Sequence, residues 1–212
     1  MAERRPGRVP AFAAPLGVAL FWIGVLVGGA LAPGYSARSD YISSLASRGS
    51  AVAPIGMAAI AAMAFAHLFG AADAWRAWRH RAVAAALALA GVSQLVIAAS
   101  RIRCPLGAAG CRFEAQPVAQ DAFDALHHDA VLAYELFLLM AMLVLFVGAW
   151  RAAPWPRWLG IVSLPLGIAS AYLLYRTGAV DNGLWQRSWA LVSSAWLLLV
   201  VWSAWRSARR GG

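Results

Sequence analysis

Six long stretches with almost no charged side chains dominate the 212-residue sequence. Each is about 18 or more residues long, enough for a helix rising about 1.5 Å per residue to cross about 30 Å of hydrocarbon. The chain is 62% hydrophobic and 13% charged, which is unlike a soluble domain. The predicted spans lie at about residues 11–32, 52–72, 82–100, 129–150, 156–175 and 188–206. The sequence therefore predicts an all-α integral membrane six-helix bundle, a single multi-pass domain over residues 1–212.

The first span has a competing interpretation as a cleavable signal peptide, because Arg4, Arg5 and Arg8 precede its apolar run. A membrane span is favoured because the run is long and contains Gly24 and Gly28, the GxxxG spacing at which helices approach closely. A similar stripe of small residues on the second span comprises Ala58, Ala62, Ala66 and Gly70. Both stripes predict helix packing, within the chain or with a partner protein or second copy.

The arginines orient the predicted spans. All 18 basic residues are arginine and the formal net charge is +9, a balance that in a soluble protein would suggest nucleic acid as a partner. Eleven of them fall on one side of the spans: Arg4, Arg5, Arg8, Arg76, Arg79, Arg81, Arg151, Arg157, Arg206, Arg209 and Arg210. The positive-inside rule then predicts that both termini lie in the cytoplasm. The predicted partner is membrane lipid, anionic on the inner face, and not nucleic acid.

Tryptophan follows the same division. Seven of the 11 tryptophans lie near the predicted cytoplasmic ends of the spans: Trp75, Trp78, Trp150, Trp155, Trp158, Trp202 and Trp205. Tryptophan is enriched at membrane interfaces. We therefore expect these residues to form an anchoring belt rather than a reactive site.

The two cysteines lie in one loop. Cys104 and Cys111 fall between the third and fourth spans, on the side predicted to be extracytoplasmic, where a disulfide between them is favoured. Two cysteines are too few for a structural zinc site, although neighbouring histidines would complete one.

A polar run from Asp121 to Glu135 leads into the apolar part of the fourth span. Charges near hydrocarbon are costly unless they are paired, hydrated or functional. Helical spacing places Asp121, Asp124, His128 and Glu135 on one stripe, with His127 beside it. Loops on the same side supply possible neighbours, and the candidate pocket comprises Asp40, Ser43, Asp124, His127, His128, Glu135 and Arg187.

Three interpretations of this pocket remain open. In the first, Arg187 or Arg176 pairs with Glu135 or an aspartate, and the histidines merely lie at headgroup level. In the second, the pocket binds or transports a lipid, an envelope component or a polar solute, with Arg187 holding an anion. In the third, His127, His128 and Asp124 bind zinc in a membrane hydrolase that acts on lipid headgroups.

Other chemistries have less support in the sequence. It contains no glycine-rich phosphate loop, HExxH motif or GxSxG motif. His67 is expected to be a packed, hydrogen-bonded interior residue rather than a haem ligand. No cofactor is predicted apart from the zinc of the third interpretation, and the sequence leaves open whether the protein is an enzyme.

Short motifs between the spans resemble a known family. They are Tyr35-Ser36-x-Arg38-x-Asp40-Tyr41-Ile42-Ser43-x-Leu45, Cys104-Pro105, Leu126-His127 and Gly183-Leu184-Trp185-Gln186-Arg187. Their order and placement are similar to those of the bacterial six-helix membrane proteins of domain-of-unknown-function family 998. The resemblance implies a multi-pass inner-membrane domain whose polar motif residues gather on the extracytoplasmic side, and it supplies no reaction. It favours His127 over His128, whereas the helical stripe favours His128.

Overall fold

The computed structural model describes residues 12–103, 121–151, 153–178 and 180–210. Its α-helices are α1 (Ala13–Leu31), α2 (Ala53–Trp78), α3 (Arg81–Ala99), α4 (Ala122–Gly148), α5 (Arg157–Arg176) and α6 (Asn182–Arg210). A short 3-10 helix, Ser43–Ala46, lies in loop 1, the segment of residues 32–52. All six α-helices are long and apolar enough to cross a membrane. The predicted all-α, six-helix membrane architecture is confirmed.

Several helices extend beyond the predicted apolar spans. The second ends at Trp78, where Arg79 adopts a left-handed conformation (φ 53°). The fourth begins at Ala122, because the Asp121 carboxylate accepts hydrogen bonds from the backbone N–H groups of Phe123 and Asp124. Such an N-cap satisfies donors that have no partner within the helix. The polar run therefore belongs to α4 from its first turn.

Each helix packs against the next one along the chain, and α2 also packs against α6. This places α2 centrally, with α1, α3 and α6 around it. Successive helices alternate in direction, so loop 1 and the starts of α4 and α6 lie at one end of the bundle, the loop-1 end. The connections between α2 and α3 and between α4 and α5 lie at the opposite, arginine-rich end. Large apolar side chains remain exposed around the bundle, as a hydrocarbon surround allows.

Small residues bring α1 close to α2. A Cβ on Gly17 would lie 2.6 Å from the Ala62 carbonyl oxygen, and one on Gly24 would lie 2.7 Å from the Ala59 Cβ. Gly28 faces both Ile55 of α2 and Leu45 of loop 1. The predicted stripe therefore packs α1 against α2, and its last glycine also meets loop 1.

Six of the seven tryptophans predicted at the arginine-rich end divide into two groups, and Trp75 is half-buried. Trp150, Trp158, Trp202 and Trp205 are exposed, as expected of an interfacial belt. Trp78 and Trp155 are buried, and their rings meet edge to face with centroids 5.8 Å apart. The belt prediction is wrong for these two, because the α4–α5 connection turns Trp155 inward and its indole N–H donates to the Leu145 carbonyl (3.1 Å).

Cys104 and Cys111 lie outside the described residues, so the disulfide stays a prediction.

Candidate functional site

The buried face of α4 contains most of the predicted polar run. Asp124, His127 and Glu135 are 6%, 5% and 4% exposed. His128 is exposed, and its Nδ1 lies 2.7 Å from the Asp124 carbonyl oxygen of its own helix. The interior histidine is therefore His127, and the helical stripe that favoured His128 was out of phase at this position.

An ion-pair cluster joins the start of α4 to loop 1 and to the segment after α3. The Arg48 Nη2 lies 2.7 Å from Asp121 and 3.2 Å from Asp124, and the Arg103 Nη2 lies 3.2 Å from Asp121. The Arg103 backbone N–H also donates to Asp124 (2.9 Å). Hydrogen bonds from the Asp124 backbone N–H and the Arg48 guanidinium lower the pKa of Asp121 to about 2. The cluster holds the N-terminus of α4 in place.

His127 contacts the end of α3. Its Nδ1 lies 2.7 Å from the Ser100 carbonyl oxygen, so Nδ1 carries the hydrogen, because a carbonyl oxygen only accepts. The neighbouring Arg101 donates to the carbonyl oxygens of Ala46 (2.9 Å) and Ser47 (2.7 Å). The residues that follow α3 thus hold both α4 and loop 1.

The proposed zinc ligands do not converge. The His127 and His128 rings meet edge to face with centroids 6.0 Å apart, and the Asp124 carboxylate is engaged by Arg48 and by the Arg103 backbone. Within residues 12–103, 121–151, 153–178 and 180–210, no three His, Cys, Asp or Glu side chains group as a metal site would require.

Loop 1 is fastened to the start of α6 by contacts that we call the clasp. Arg187 donates to the carbonyl oxygens of Asp40 and Gly183, both at 2.9 Å, and to the Tyr35 hydroxyl. The Asp40 carboxylate is turned inward to its own loop, where it accepts from the Ser36 N–H (2.6 Å). Asp40 and Arg187, both assigned to the candidate pocket, do meet, through the Asp40 backbone carbonyl.

The rest of the Gly183–Arg187 motif completes the clasp. The Leu184 N–H donates to the Arg38 carbonyl (3.0 Å), and the Ile42 N–H donates to the Gln186 side chain (2.5 Å). The Arg38 Nε lies 2.7 Å from Asp181, and this hydrogen bond lowers the pKa of the Asp181 carboxyl. The first and last of the motifs that carried the family resemblance are therefore bonded to each other in space, whereas His127 of the Leu126-His127 motif contacts the end of α3.

The ion pairs use different arginines from those expected. Arg187 bonds neutral oxygens, and Arg176 stacks over the Trp185 ring at 4.5 Å. Among the described residues, neither forms an ion pair with Glu135 or with any aspartate. The first interpretation named the wrong partners, since the pairing is carried by Arg38, Arg48 and Arg103.

Glu135 lies in the bundle interior at the midpoint of α4. Its Oε2 accepts hydrogen bonds from the Ser170 hydroxyl of α5 (3.1 Å) and the Trp189 indole N–H of α6 (3.0 Å). Its Oε1 is buried and has no hydrogen-bond partner among the described residues. No basic side chain in the described part of the chain comes within ion-pair distance. Glu135 of the predicted pocket therefore faces the bundle interior, where Ser170 and Trp189 are its polar partners.

Tyr134 links this acid to the central helix. Its ring meets that of Trp189 edge to face at 5.5 Å, and its hydroxyl lies 3.3 Å from the His67 Nε2. The His67 Nδ1 lies 2.9 Å from the Met63 carbonyl oxygen. Donation from Nδ1 to that carbonyl leaves Nε2 of the neutral ring to accept from Tyr134. His67 is thus the packed, hydrogen-bonded interior residue that was expected, and it borders a polar layer made by α2, α4, α5 and α6.

The structure distributes the predicted pocket over three places. Asp124 and His127 lie beside the end of α3, Asp40 and Arg187 lie in the clasp, and Glu135 lies in the polar layer. Ser43 is half-buried in the 3-10 helix, and its hydroxyl makes no hydrogen bond to the described residues. Sequence reasoning missed Ser170 and Trp189, because serine and tryptophan inside apolar spans are common packing residues.

Comparison with known proteins gives one match. The family model described as "Protein of unknown function (DUF998)" matches residues 15–203. No curated protein and no solved structure gives a significant match. The match covers all six helices, including the clasp and the polar layer.

Proposed function

The chain belongs to the DUF998 family of proteins of unknown function, and on that premise we propose that this multi-pass membrane protein binds or transports a lipid or another envelope component. The group that receives the ligand is Glu135. The interaction takes place inside the bundle rather than at the ion-pair cluster or the clasp, whose polar groups are engaged in holding helices and loops together.

The observation that carries this proposal is the unpartnered Glu135 Oε1. A charged carboxylate at the centre of a membrane helix costs about 2.5–3.5 kcal/mol on insertion scales, and a buried acceptor without a donor adds to the cost. Intramembrane acids are therefore functional candidates by default. A ligand hydroxyl would supply the missing partner of Oε1 in either protonation state, since a hydroxyl both donates and accepts, while Ser170 and Trp189 hold Oε2.

The position of the polar layer favours access from the loop-1 end. Ser170 lies six residues before the end of α5, and Trp189 lies seven residues after the start of α6. At about 1.5 Å per residue, Glu135 is therefore about 10 Å below those helix ends. A lipid headgroup in the adjacent leaflet is within reach of such a site. We place that leaflet on the extracytoplasmic side of a bacterial inner membrane, in line with the arginine distribution.

A hydrophobic carbodiimide tests whether Glu135 is available. Dicyclohexylcarbodiimide modifies protonated carboxyl groups in apolar surroundings, so mass spectrometry should find the adduct on Glu135 in membranes containing the protein. Asp124 is a control within the same helix, because its carboxylate is bonded to Arg48 and to the Arg103 backbone N–H at the polar start of α4. The E135Q variant keeps an acceptor for Ser170 and Trp189 and should remain folded but unlabelled at this position. Absence of an adduct on Glu135 in the unaltered protein would overturn the proposal.

Protection experiments test the ligand class. Total lipid extract from the native membrane should slow labelling of Glu135 if a lipid or envelope component occupies the site. Native mass spectrometry should then find that component on the unaltered protein and lose it in E135Q. Unchanged labelling with every lipid fraction would leave an accessible carboxyl without a lipid ligand and so would rule out the proposed ligand class.

A further inference from the structure

The arginine-rich end carries little negative charge to balance its arginines. Among the described residues, its only acid is Asp73, whose carboxylate lies 3.7 Å from Arg76. Six other arginines at this end have described side chains, and none of them forms an ion pair with a described acid: Arg79, Arg81, Arg151, Arg157, Arg206 and Arg209. The net positive charge of this surface therefore remains available to an external anion.

Several of these arginines stack on tryptophan. Arg157 lies over the Trp150 ring at 4.5 Å, Arg206 over Trp202 at 4.0 Å, and Arg209 over Trp205 at 3.7 Å. Stacking uses the flat face of the guanidinium and leaves its N–H edges free to donate. Tryptophan at this position also marks the level at which lipid headgroups meet hydrocarbon.

One of these stacks borders a cavity. The cavity lies where α4 passes into α5, has a volume of about 390 Å³, and is lined by Arg151, Arg157, Trp150 and Trp155 together with the backbone at the end of α4. Arg151 and Arg157 are both exposed, so a ligand outside the bundle can contact their side chains. The volume falls within the range of small-molecule sites, about 300–1,000 Å³.

The Trp155 side chain, which forms one wall of the cavity, is held in place by burial and by a hydrogen bond. The Trp155 side chain is 6% exposed, and its indole N–H is bonded to the Leu145 carbonyl. A Cβ on Gly148 would collide with the Trp155 ring, which shows how closely the ring lies against α4. A cavity with a rigid aromatic wall and two unpaired arginines is suited to a phosphate group that carries apolar chains.

We propose that this cavity binds the phosphate of an anionic phospholipid from the leaflet at the arginine-rich end. Arg151 and Arg157 donate to the phosphate oxygens, since guanidinium edges match that geometry. Trp150, which is 61% exposed, packs against the glycerol and the upper acyl chain. The site lies at the end of the bundle opposite the polar layer and does not depend on the function proposed for Glu135.

Native mass spectrometry of the full chain from mixed phosphatidylglycerol and phosphatidylcholine nanodiscs tests this site. The unaltered protein should retain phosphatidylglycerol in preference to phosphatidylcholine. The double variant R151Q/R157Q should lose about thirtyfold in phosphatidylglycerol retention, equivalent to about 2 kcal/mol if each arginine contributes about 1 kcal/mol. The matched double variant R206Q/R209Q removes the same charge from the same end but leaves the cavity intact, and it should retain the lipid nearly as well as the unaltered protein.

Three outcomes would overturn the proposal. Equal losses in the two double variants would show diffuse attraction to the whole surface, and no loss in R151Q/R157Q would show that the cavity does not hold lipid. Displacement of phosphatidylglycerol by inorganic phosphate at a similar concentration would assign the cavity to a free anion. If R151Q/R157Q unfolds, the W150A variant keeps every charge and should still weaken retention, and unchanged retention in W150A would count against the site.

Discussion

Gly183 is the residue on which the clasp depends most directly. A Cβ at this position would collide with the Asp40 carbonyl oxygen and lie 2.8 Å from the Ala37 carbonyl oxygen, both backbone atoms. We predict that G183A destabilises the protein by about 1–3 kcal/mol, the usual cost of overpacking, because loop 1 must move away from α6. The measurement is the midpoint of thermal unfolding in detergent.

Gly178 provides the control for this substitution. A Cβ there would meet only the Tyr175 carbonyl oxygen, at an ordinary 3.8 Å. G178A should therefore change stability by less than about 0.5 kcal/mol. Equal effects of the two substitutions would mean that the close approach at Gly183 contributes nothing to stability.

Asp121 gives a prediction about pH. Its pKa in the folded protein is about 2, against about 3.9 for an unperturbed aspartate, so its charge stabilises the folded state above about pH 4. That contribution is lost as the pH falls towards 2. The D121N variant retains an N-cap but cannot form ion pairs with Arg48 and Arg103. The stability difference between the unaltered protein and D121N should therefore be present at pH 6 and shrink below pH 4.

Asp129 is the matched acid for the pH experiment, since it is exposed on the same helix and forms no ion pair with the described residues. D129N should have no comparable effect at either pH. A difference between the unaltered protein and D121N that stays constant from pH 6 to pH 3 would contradict the assignment of the stabilisation to the charged carboxylate.

Individual polar residues were predictable from sequence to different degrees. Glu135 sits in an apolar run, so the bundle interior is the only place where a helix can keep it away from lipid. His127 and His128 differ by about 100° around α4, and neither is apolar, so the local pattern cannot choose between them. Which histidine lies in the interior depends on where α3 ends, because the His127 Nδ1 is hydrogen-bonded to the Ser100 carbonyl oxygen at that end.

Helix α1 is the element whose position depends most on small residues. It packs mainly against α2, with few contacts to α6 and loop 1. We predict that G17A/G24A, which adds a methyl group at each close approach to α2, separates the two helices at a cost of about 1–3 kcal/mol per site. Thermal unfolding should show the loss, and hydrogen exchange should show faster exchange in α1 than in α4.

Leu26 offers a control on the opposite face of α1, where it is 70% exposed. L26A removes apolar volume from a surface that contacts lipid and not protein, so it should leave exchange in α1 unchanged. Accelerated exchange in L26A as large as that in G17A/G24A would show that α1 is held by its lipid-facing surface rather than by its packing on α2.

Element ends were less predictable than the elements themselves. Hydropathy finds the residues that can lie in hydrocarbon, and that criterion located six spans. It cannot find where a helix stops in the headgroup layer or in water, which depends on caps such as Asp121 and on the backbone of Arg79. For this reason α4 begins at Ala122 rather than near residue 129, and its first two turns, which carry the ion-pair cluster, are helical.

Across the whole molecule, the arginines at the two ends of the bundle differ in how they are paired. At the loop-1 end, the described arginines are paired with acids or bonded to backbone oxygens, except for Arg176, which stacks on Trp185. At the arginine-rich end, most are unpaired and several stack on tryptophan. The sequence predicted the unequal distribution of arginine, but the pairing depends on loop 1 folding back onto α4 and α6, which no local pattern encodes.

This asymmetry predicts the orientation of the protein. Unpaired arginines favour the side facing anionic lipid and resist translocation, so the arginine-rich end should be cytoplasmic. Expressed in a bacterial host, a fluorescent-protein fusion after Arg210 should fluoresce, and an alkaline-phosphatase fusion truncated after Gly178 should be active. A fluorescent-protein fusion truncated after Gly178 should not fluoresce, and an alkaline-phosphatase fusion after Arg210 should be inactive. The opposite pattern of reporter activity would reverse the predicted orientation. The leaflet proposed for access to Glu135 would then be the cytoplasmic one. Cys104 and Cys111 would lie in a reducing compartment, where their predicted disulfide is not expected to persist.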